Sequence, residues 1–396
     1  MRAAPALLLA AAALQANAQS PTDLAPPESP AFTVLGMSPQ NVTRPSSPKA
    51  LAAALLNGMD QSGNFQTGFA IDTTPYLMIR GVKVSLASYS EHYLTRLLAR
   101  ASLSLGTTRG ATSTDKSTRL ASGLRATLFD LGDPLGDAQL ESCIEAAATA
   151  YETGFVPQSR IDSMEKELAA RESETARKDG ESDAQFVERQ LKTMMDRRDL
   201  EKRKAKNAQL ATKLGADRTK CMADSRKRNF NRSSMVIAGA PAWISATGQN
   251  ADMKWNGGGA WTSIAYGFDN VPALRNTTQI LFEGLYRSRE TVADPANSGQ
   301  FLVQNRAVIG GGVRVGKPNF QVFWEGTYIH RHAAGAVPDG TFETAMSAEA
   351  RITDGLWLNL GIGTESGRSN GANKLFILTN FKWGLSPDRT SKGPGN

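Results

Sequence analysis

The sequence predicts a mainly β fold, an antiparallel sheet of up-and-down strands with a large helical insertion. Apolar and polar residues alternate in many segments of residues 63–131 and 232–386, as in strands, whose successive side chains point to opposite faces. Residues 132–231 lose this alternation and instead place apolar residues three and four positions apart, as helices do. We therefore expect two runs of strands separated by a helical hairpin.

The first 18 residues have the features of a secretory signal peptide. Arg2 precedes the apolar run ALLLAAAAL, which is too short to span a bilayer, and ANA ending at Ala18 matches a small-x-small cleavage site. We therefore expect an exported chain. In that setting the net charge of +7 indicates anionic lipid headgroups or anionic solutes as partners, and not nucleic acid.

Residues 19–62 read as an extended leader with one short helix. In SPKALAAALLNG, Ser47 suits the N-cap, Pro48 the first turn and Gly58 the end of a helix. The preceding segment AFTVLGM, residues 31–37, is a candidate strand. Residues 387–396 are expected to form a disordered tail.

Eleven segments outside the insertion suit strands, and AFTVLGM would be a twelfth. In STRLASGLRATLFD, Leu120 and Leu124 share one face while Arg119 and Arg125 share the other. The segments QILFEGLYRSR, RAVIGGGVRVG, FQVFWEGTYIHRH, TFETAMSAEARIT, TDGLWLNLGIGTES and KLFILTNFKWGL alternate in the same way. Single-chain bacterial barrels have even strand numbers, so we expect about twelve strands, with about ten as the alternative.

These strands have the properties of transmembrane β-strands. Many are about 10–14 residues long, against about 5–6 for globular strands and about 9–11 for a strand that crosses a membrane. Aromatic residues such as Trp324 and Trp383 lie toward strand ends, and the apolar faces carry almost no charge. The pattern resembles Gram-negative outer-membrane β-barrel proteins as a general class, over residues 63–131 and 232–385. That resemblance implies a barrel surrounded by outer-membrane lipids; the alternative is a secreted soluble β protein.

The lengths of the connections predict the topology. GKPN at 316–319 and TDG at 353–355 are tight, whereas the connections near 248–258, 291–299, 335–340 and 367–373 are longer. Periplasmic turns are short in outer-membrane barrels. Counting strands back from the tight turns places the helical insertion on their side, so we expect a periplasmic hairpin.

The insertion reads as two antiparallel helical arms with opposite charge. Residues 157–188 contain nine acidic and five basic residues, and residues 189–230 contain five acidic and fourteen basic ones. The second arm is expected to be a long helix from Asp183 to Lys227. Its thin apolar seam is Val187, Leu191, Met194, Ala205, Ala208 and Leu214. The alternative is a solvated, partly disordered charged loop.

Cys143 and Cys221 flank the hairpin, and we expect them to form a disulfide bond in an oxidising compartment. Two cysteines without a nearby histidine do not make a zinc site. His330 and His332 share a strand face but lack a further ligand, so we expect a polar interface there and no metal. GxSxG is absent, and no catalytic motif or cofactor site rises above background.

Alternation also predicts which charged residues face the inside of a barrel. The principal candidates are Arg119, Arg125, Arg287, Arg289, Arg306, Arg314, Arg351, Glu283, Glu325 and Glu349. Further candidates are Arg100, Arg331, Lys382, Asp72, Glu343 and Glu365. Rings of arginine favour anions in a pore, whereas paired Arg and Glu could instead fill a narrow barrel and only stabilise it.

Two functions are consistent with these features. The first is an outer-membrane channel, porin-like, for small and anionic solutes. The second is an outer-membrane anchored structural or docking protein whose helical hairpin binds an envelope partner.

Overall fold

A computed structural model describes residues 25–37, 42–78, 86–109, 117–174, 176–293, 301–333, 339–353, 356–367 and 374–383. The predicted signal peptide and the predicted C-terminal tail lie outside these residues. The chain divides into two compact units. The sheet unit contains residues up to Gly136 and from Lys227 onward, and the helical unit is Asp137–Arg226.

The sheet unit confirms the predicted antiparallel, up-and-down β architecture. Its described residues form one sheet of eleven strands, and each strand pairs with the next one in the chain. The strands are β1 (Ala70–Thr73), β2 (Ser102–Arg109), β3 (Thr118–Asp130), β4 (Ser234–Ser245), β5 (Lys254–Gly267), β6 (Thr278–Ala293), β7 (Phe301–Lys317), β8 (Phe320–Ala333), β9 (Asp339–Thr353), β10 (Leu356–Gly367) and β11 (Lys374–Trp383).

Within the described residues the sheet is not closed into a barrel, because β1 and β11 are its two edges. The outer edge of β1 carries a short parallel bridge to Thr43. The N–H of Thr43 donates to the carbonyl of Ala70 at 2.9 Å, and the N–H of Asp72 donates to the carbonyl of Thr43 at 3.1 Å.

The predicted twelfth strand is wrong, since residues 31–37 contain the helix α1 (Pro30–Leu35). Pro30 occupies the first turn, where its missing N–H costs nothing. Gly36 ends the helix with φ 66°, a left-handed conformation that glycine adopts without strain. These two residues override the weak alternation of the segment. The expected even number of strands, twelve or ten, is therefore not observed in the described residues.

The remaining helices of the sheet unit are short. They are α2 (Pro48–Asn57), α3 (Leu86–Glu91) and α4 (Tyr93–Ala99), with 3₁₀ turns at Pro75–Met78, Pro134–Gly136 and Asn250–Asp252. Helix α2 is the predicted one, and its N-cap is confirmed, because the Ser47 side chain accepts a hydrogen bond from the N–H of Ala50 at 3.2 Å.

The two faces of the sheet differ in polarity, and we call the face that carries α1 the inner face. Among the described residues of β3–β10, the outer face carries no Asp, Glu, Lys or Arg away from the strand ends. Large apolar side chains are exposed there, including Ile237, Ile264, Phe282, Tyr286, Ile309, Trp324, Tyr328, Phe342, Met346, Leu360, Ile362, Leu375 and Ile377.

The strand order confirms that the insertion and the tight turns connect the strands at the same end. Only Pro318 and Asn319 separate β7 from β8, and two residues separate β9 from β10. The insertion connects β3 to β4, an even number of strands away from those turns. Its two ends therefore join the sheet at the same strand ends as the tight turns. Which side of a membrane these strand ends face stays a prediction.

The helical unit consists of α5 (Ala138–Gly154), α6 (Gln158–Ser173) and α7 (Asp183–Arg228). The predicted long helix is therefore confirmed over 46 residues. The predicted disulfide is present, joining Cys143 of α5 to Cys221 of α7 with their Cα atoms 5.9 Å apart. Within the described part of the chain, no helix is both long enough and apolar enough to span a membrane.

The packed seam of α7 is not the predicted one. Val187, Leu191 and Met194 are 62 %, 52 % and 63 % exposed, and the buried apolar cluster between α6 and α7 consists of Ile161, Leu168 and Leu200. The covered positions of α7 between residues 186 and 221 instead recur mainly in steps of three and four residues, and they are Phe186, Arg189, Gln190, Thr193, Asp196, Leu200, Arg203, Lys204, Asn207, Leu210, Leu214, Asp217 and Cys221. Because several of these are polar, apolar content alone pointed to the wrong face. Of the predicted seam, only Leu214 belongs to this set.

Hydrogen bonds and ion pairs supplement the small core of the hairpin. Asn207 of α7 both donates to the Val156 carbonyl at 2.8 Å and accepts from the Val156 N–H at 3.0 Å. The expected attraction between the two arms is seen where Arg197 lies 3.4 Å from Glu172 and where Lys204 contacts Glu165.

Candidate functional site

The inner face of the sheet is organised in rows that cross the strands. A basic row lies near the strand ends that have the longer connections. There Arg287, Arg306 and Arg331 stand opposite one another on β6, β7 and β8. The next row is apolar, with Leu285, Val308 and Ile329 in register. The third row carries acidic side chains. This order follows directly from strand pairing, because every second residue of neighbouring strands shares a face.

Glu290 joins two arginines of the basic row, Arg287 and Arg306. Its carboxylate lies 2.7 Å from Nη1 of Arg287 and 3.2 Å from Nε of Arg306, and all three side chains are largely buried. A carboxylate between two guanidinium groups offsets their mutual repulsion and their desolvation. Arg287, Glu290 and Arg306 thus form an ion cluster within the basic row.

A β-bulge in β6 brings Glu290 to the inner face. Pairing shifts between Arg287 and Glu290, so that Ser288 and Arg289 together oppose the single residue Asn305. Arg289 has φ 54° at this point, and its N–H donates to Oδ1 of Asn305 at 3.0 Å. Strict alternation had assigned Arg289 to the inside. In the structure Arg289 is exposed at the bulge, and Glu290, which alternation places outside, joins the site.

The apolar row forms a belt across the middle of the inner face. Trp261 packs there with Leu285, Val308 and Ile329, and Ala238 and Ala240 complete the buried cluster. Sequence reasoning missed this belt because Leu285, Val308 and Ile329 each have a charged residue two positions away on the same face. Water is excluded from this part of the inner face.

The acidic row lies beyond the belt. Glu283 accepts a weak hydrogen bond from Ser263 at 3.5 Å, and Glu343 is directly opposite Glu365. The guanidinium of Arg314 follows, 3.2 Å from Oε1 of Gln279 and 4.8 Å above the ring of Phe323.

The other predicted inward residues differ in where the structure places them. Those that the strand register places on the inner face are Arg119, Arg125, Glu325, Glu349 and Arg351. Arg100 lies at the C-cap of α4 and pairs with Asp130 and Asp133, so it is outside the rows. The side chain of Lys382 is outside the described set.

The hydroxyl of Tyr89 also donates to Asp133, at 2.5 Å. Burial, followed by this hydrogen bond, raises the pKa of Tyr89. Tyr89, Arg100, Asp130 and Asp133 thus form a cluster of mutual hydrogen bonds and ion pairs near the end of β3.

Helix α1 is seated on small residues of the inner face. A side chain at Gly123 would place its Cβ 2.5 Å from the backbone nitrogen of Ala31, and one at Gly106 would meet the Phe32 ring at 2.9 Å. The Ala31 N–H donates to Oγ of Ser104 at 3.1 Å. Glycine in β2 and β3 therefore makes room for the helix.

Charged and polar contacts hold both ends of α1. At its start, Oγ of Ser29 donates to Asp72 at 2.7 Å. At its end, Nη2 of Arg287 donates to the Val34 carbonyl at 2.9 Å, where a cation also complements the helix dipole. Arg287 thus links α1 to the basic row. A small cleft of about 130 Å³ opens beside this end of the helix, lined in part by Arg119, Arg287, Arg289 and Glu290.

The two histidines lie away from these rows. His330 and His332 are exposed on the outer face of β8, opposite to the ion cluster. Among the described residues, no group of His, Cys, Asp and Glu is arranged to hold a metal ion. No family model, curated protein or solved structure matches this chain.

Proposed function

We propose that this protein is a bacterial outer-membrane β-barrel channel for small anionic solutes, held closed by its own helix α1. The observation that carries this proposal is the polarity of the sheet. Among the described residues of β3–β10, the outer face is mainly apolar and carries no Asp, Glu, Lys or Arg between the strand ends, and the inner face carries ion pairs. A soluble sheet would hide its apolar face, and exposed apolar patches above a few hundred Å² mark a surface that something covers. A lipid bilayer covers such a face without a protein partner.

Strand length and edges support the same proposal. β6–β9 have 14 to 17 residues, enough to cross the hydrocarbon at a tilt. In a bilayer an open sheet edge leaves backbone groups without partners, at several kcal/mol each. We therefore propose that β11 closes in the membrane as a parallel partner of the edge formed by β1 and Thr43, since β1 and β11 run in the same direction.

The arginines support an anionic solute. Arg119 and Arg287 line the cleft beside α1, and Arg306 is next to Arg287 in the basic row; in the proposed barrel all three lie near one entrance. Helix α1 and the apolar belt then obstruct the passage, so the resting channel is closed. Movement of α1 would break its contact with Arg287 and release that guanidinium toward the solute.

The membrane part of the proposal is tested on a single strand. Ile309 is at the midpoint of β7 and Val303 near its end, and both are exposed on the outer face, at 69 % and 48 %. Lysine at a bilayer midplane costs about 2–4 kcal/mol and near the interface about 0–1 kcal/mol. Ile309→Lys should therefore impair folding into lipid vesicles, measured by heat-modifiable gel migration, whereas Val303→Lys should not. Equal and small effects would indicate a soluble sheet.

The channel part is tested by planar-bilayer conductance. The intact chain should be nearly silent, and a variant lacking residues 25–37 should give steady anion-selective currents. Oγ of Ser29 lies 2.7 Å from Oδ2 of Asp72, so these two positions suit a cysteine pair. Ser29→Cys with Asp72→Cys should lock α1 in place when oxidised and keep the channel closed. A deletion variant that folds in the bilayer but stays silent would reject the channel and leave the barrel standing.

The second function, an anchored docking protein, is favoured by the apolar belt. Trp261, Leu285, Val308 and Ile329 are buried together with α1 above them, as expected for a filled barrel that conducts nothing. In that case the deletion variant is silent, and removal of residues 138–226 abolishes capture of an envelope partner.

A further inference from the structure

Helix α7 carries a second heptad seam on the side away from α5 and α6. Positions 187, 191, 194, 198, 201, 205, 208 and 212 alternate in steps of four and three, the spacing of coiled-coil a and d positions. All eight side chains are exposed. With 3.6 residues per turn, this set lies roughly opposite the covered set that includes Leu200 and Asn207. The helical unit therefore uses one face of α7 and leaves a continuous stripe about 38 Å long unoccupied.

The residues of this second seam are graded in size. Its first half carries Val187, Leu191 and Met194, whereas its second half carries Ala205, Ala208 and Thr212. A partner helix that runs parallel in the same register would oppose large with large and small with small, leaving voids. A partner that runs antiparallel opposes large with small throughout.

Antiparallel pairing of the seam with itself satisfies coiled-coil geometry. In such coiled coils each a position meets a d position of the other helix, and a single register does this for every member of the seam. The resulting pairs are Val187 with Thr212, Leu191 with Ala208, Met194 with Ala205 and Arg198 with Glu201, each formed twice. The two-fold axis falls between residues 199 and 200.

The charges at the centre of the seam are self-complementary in this register. Arg198 of one copy meets Glu201 of the other, and the symmetry repeats the pair. Glu201 already lies 3.4 Å from Lys204 of its own helix, which is an exposed contact that the new pair can share. A parallel register would instead bring Arg198 against Arg198.

Positions that flank the seam are compatible with the same partner. Met195 would face Lys202, whose aliphatic stem covers apolar surface. Arg197 would face Lys204, but both are already paired within their own hairpin, with Glu172 and Glu165. The repulsion between these flanking cations is therefore partly neutralised.

We propose that the partner of this surface is a second copy of the same chain, and that two hairpins associate through an antiparallel α7–α7 coiled coil. This assembly does not rest on the proposed channel, because it involves only the helical unit. It is an isologous interface, in which the same patch serves both subunits.

A charge exchange tests the pairing in the full-length chain, purified in detergent and examined by sedimentation velocity. The intact chain should dimerise. Arg198→Glu places like charges opposite each other and should weaken the dimer by about tenfold or more, as should Glu201→Arg. The double variant R198E/E201R should restore it, since the two charges simply change places. Lys206→Glu, on the same helix but outside the seam, is the matched control and should dimerise normally.

Cysteine cross-linking tests the register. With the native disulfide retained, Met194→Cys combined with Ala205→Cys should give a covalent dimer on oxidation, linked 194 to 205 by peptide mapping. Neither single variant should cross-link. A monomeric intact chain, a double charge variant without rescue, or efficient cross-linking by Met194→Cys alone would each overturn the proposal.

Discussion

The sheet unit and the helical unit distribute their apolar residues in opposite ways. The sheet exposes large apolar side chains such as Ile309 and Phe282 and covers its ion cluster, whereas the hairpin exposes charge and buries only a few apolar residues around Leu200. Each unit is thin, so neither has a large conventional core. The difference shows that the two units present surfaces of opposite polarity, apolar on the outer face of the sheet and charged on the hairpin.

The two units are also stabilised differently. Backbone pairing along eleven strands holds the sheet, and α1 fills space on its inner face. The hairpin relies on a disulfide, on Asn207 and on ion pairs. Four measurements separate these contributions, beginning with the one that should have the largest effect.

Loss of the disulfide should weaken the hairpin alone. Cys143 and Cys221 close a loop with a sequence separation of 78. Chain-entropy arguments give such a cross-link about 4 kcal/mol. Cys143→Ser with Cys221→Ser should therefore speed hydrogen exchange in residues 138–226 and leave the strands protected. Adding reductant to this variant should change nothing further, and equal loss of protection in β3–β10 would show that the units are coupled.

A side chain at Gly123 should dislodge α1. Gly123→Val places atoms against the backbone of Ala31, and overpacking of this kind costs about 1–3 kcal/mol. Chymotrypsin should then cleave at Phe32, which is buried in the intact chain. Gly239→Val is the matched control, since its Cβ would find its nearest neighbour 3.8 Å away. Equal cleavage of the two variants would contradict the proposed seat.

Removal of the Asn207 side chain should lower the stability of the hairpin by about 1–2 kcal/mol. Asn207→Ala leaves the N–H and the carbonyl of Val156 without the partner that each has now. Thermal unfolding followed by circular dichroism measures the effect. Gln209→Ala, on the exposed side of α7, should be neutral, and a loss of similar size there would assign the effect to helix propensity instead.

The tip of the hairpin should respond weakly to acid. Hydrogen bonds from Arg189 and from the Lys178 backbone lower the pKa of Glu181 to about 2. Because the folded pKa lies below the usual value of about 4.3, this contact stabilises the tip fully above about pH 4.3 and is lost as the pH falls through about 2. A carboxyl NMR titration should find the low pKa, and Arg189→Gln should raise it. Lys192→Gln should leave it unchanged.

Sequence patterns predicted much of the secondary structure because their causes are local. The alternation around Leu120 and Arg119 sets which side of a strand each residue occupies, and the end of α2 at Gly58 follows from capping chemistry. The long helix and the disulfide were also predictable, since helical spacing and two flanking cysteines suffice. For the same reason, the strand register places most of the candidate residues on one face of the sheet, whereas their position inside a barrel stays a prediction.

The errors arose where a single contact changes the outcome. The bulge at Arg289 depends on Asn305 of the neighbouring strand, and it brings Glu290 to the inner face beside Arg287. The covered seam of α7 is polar, so it is defined by what α5 and α6 present to it. Counting apolar residues instead identified the opposite seam, around Met194.

The sequence by itself determined the polarity of the two sheet faces, the extent of the long helix α7 and the pairing of the two cysteines. It did so because side-chain direction repeats with the backbone period, independently of distant residues. Only the tertiary structure decided that residues 31–37 form a helix above Gly123, and that Glu290 joins Arg287 to Arg306. These outcomes depend on space and charge supplied by residues far along the chain, which no local period records.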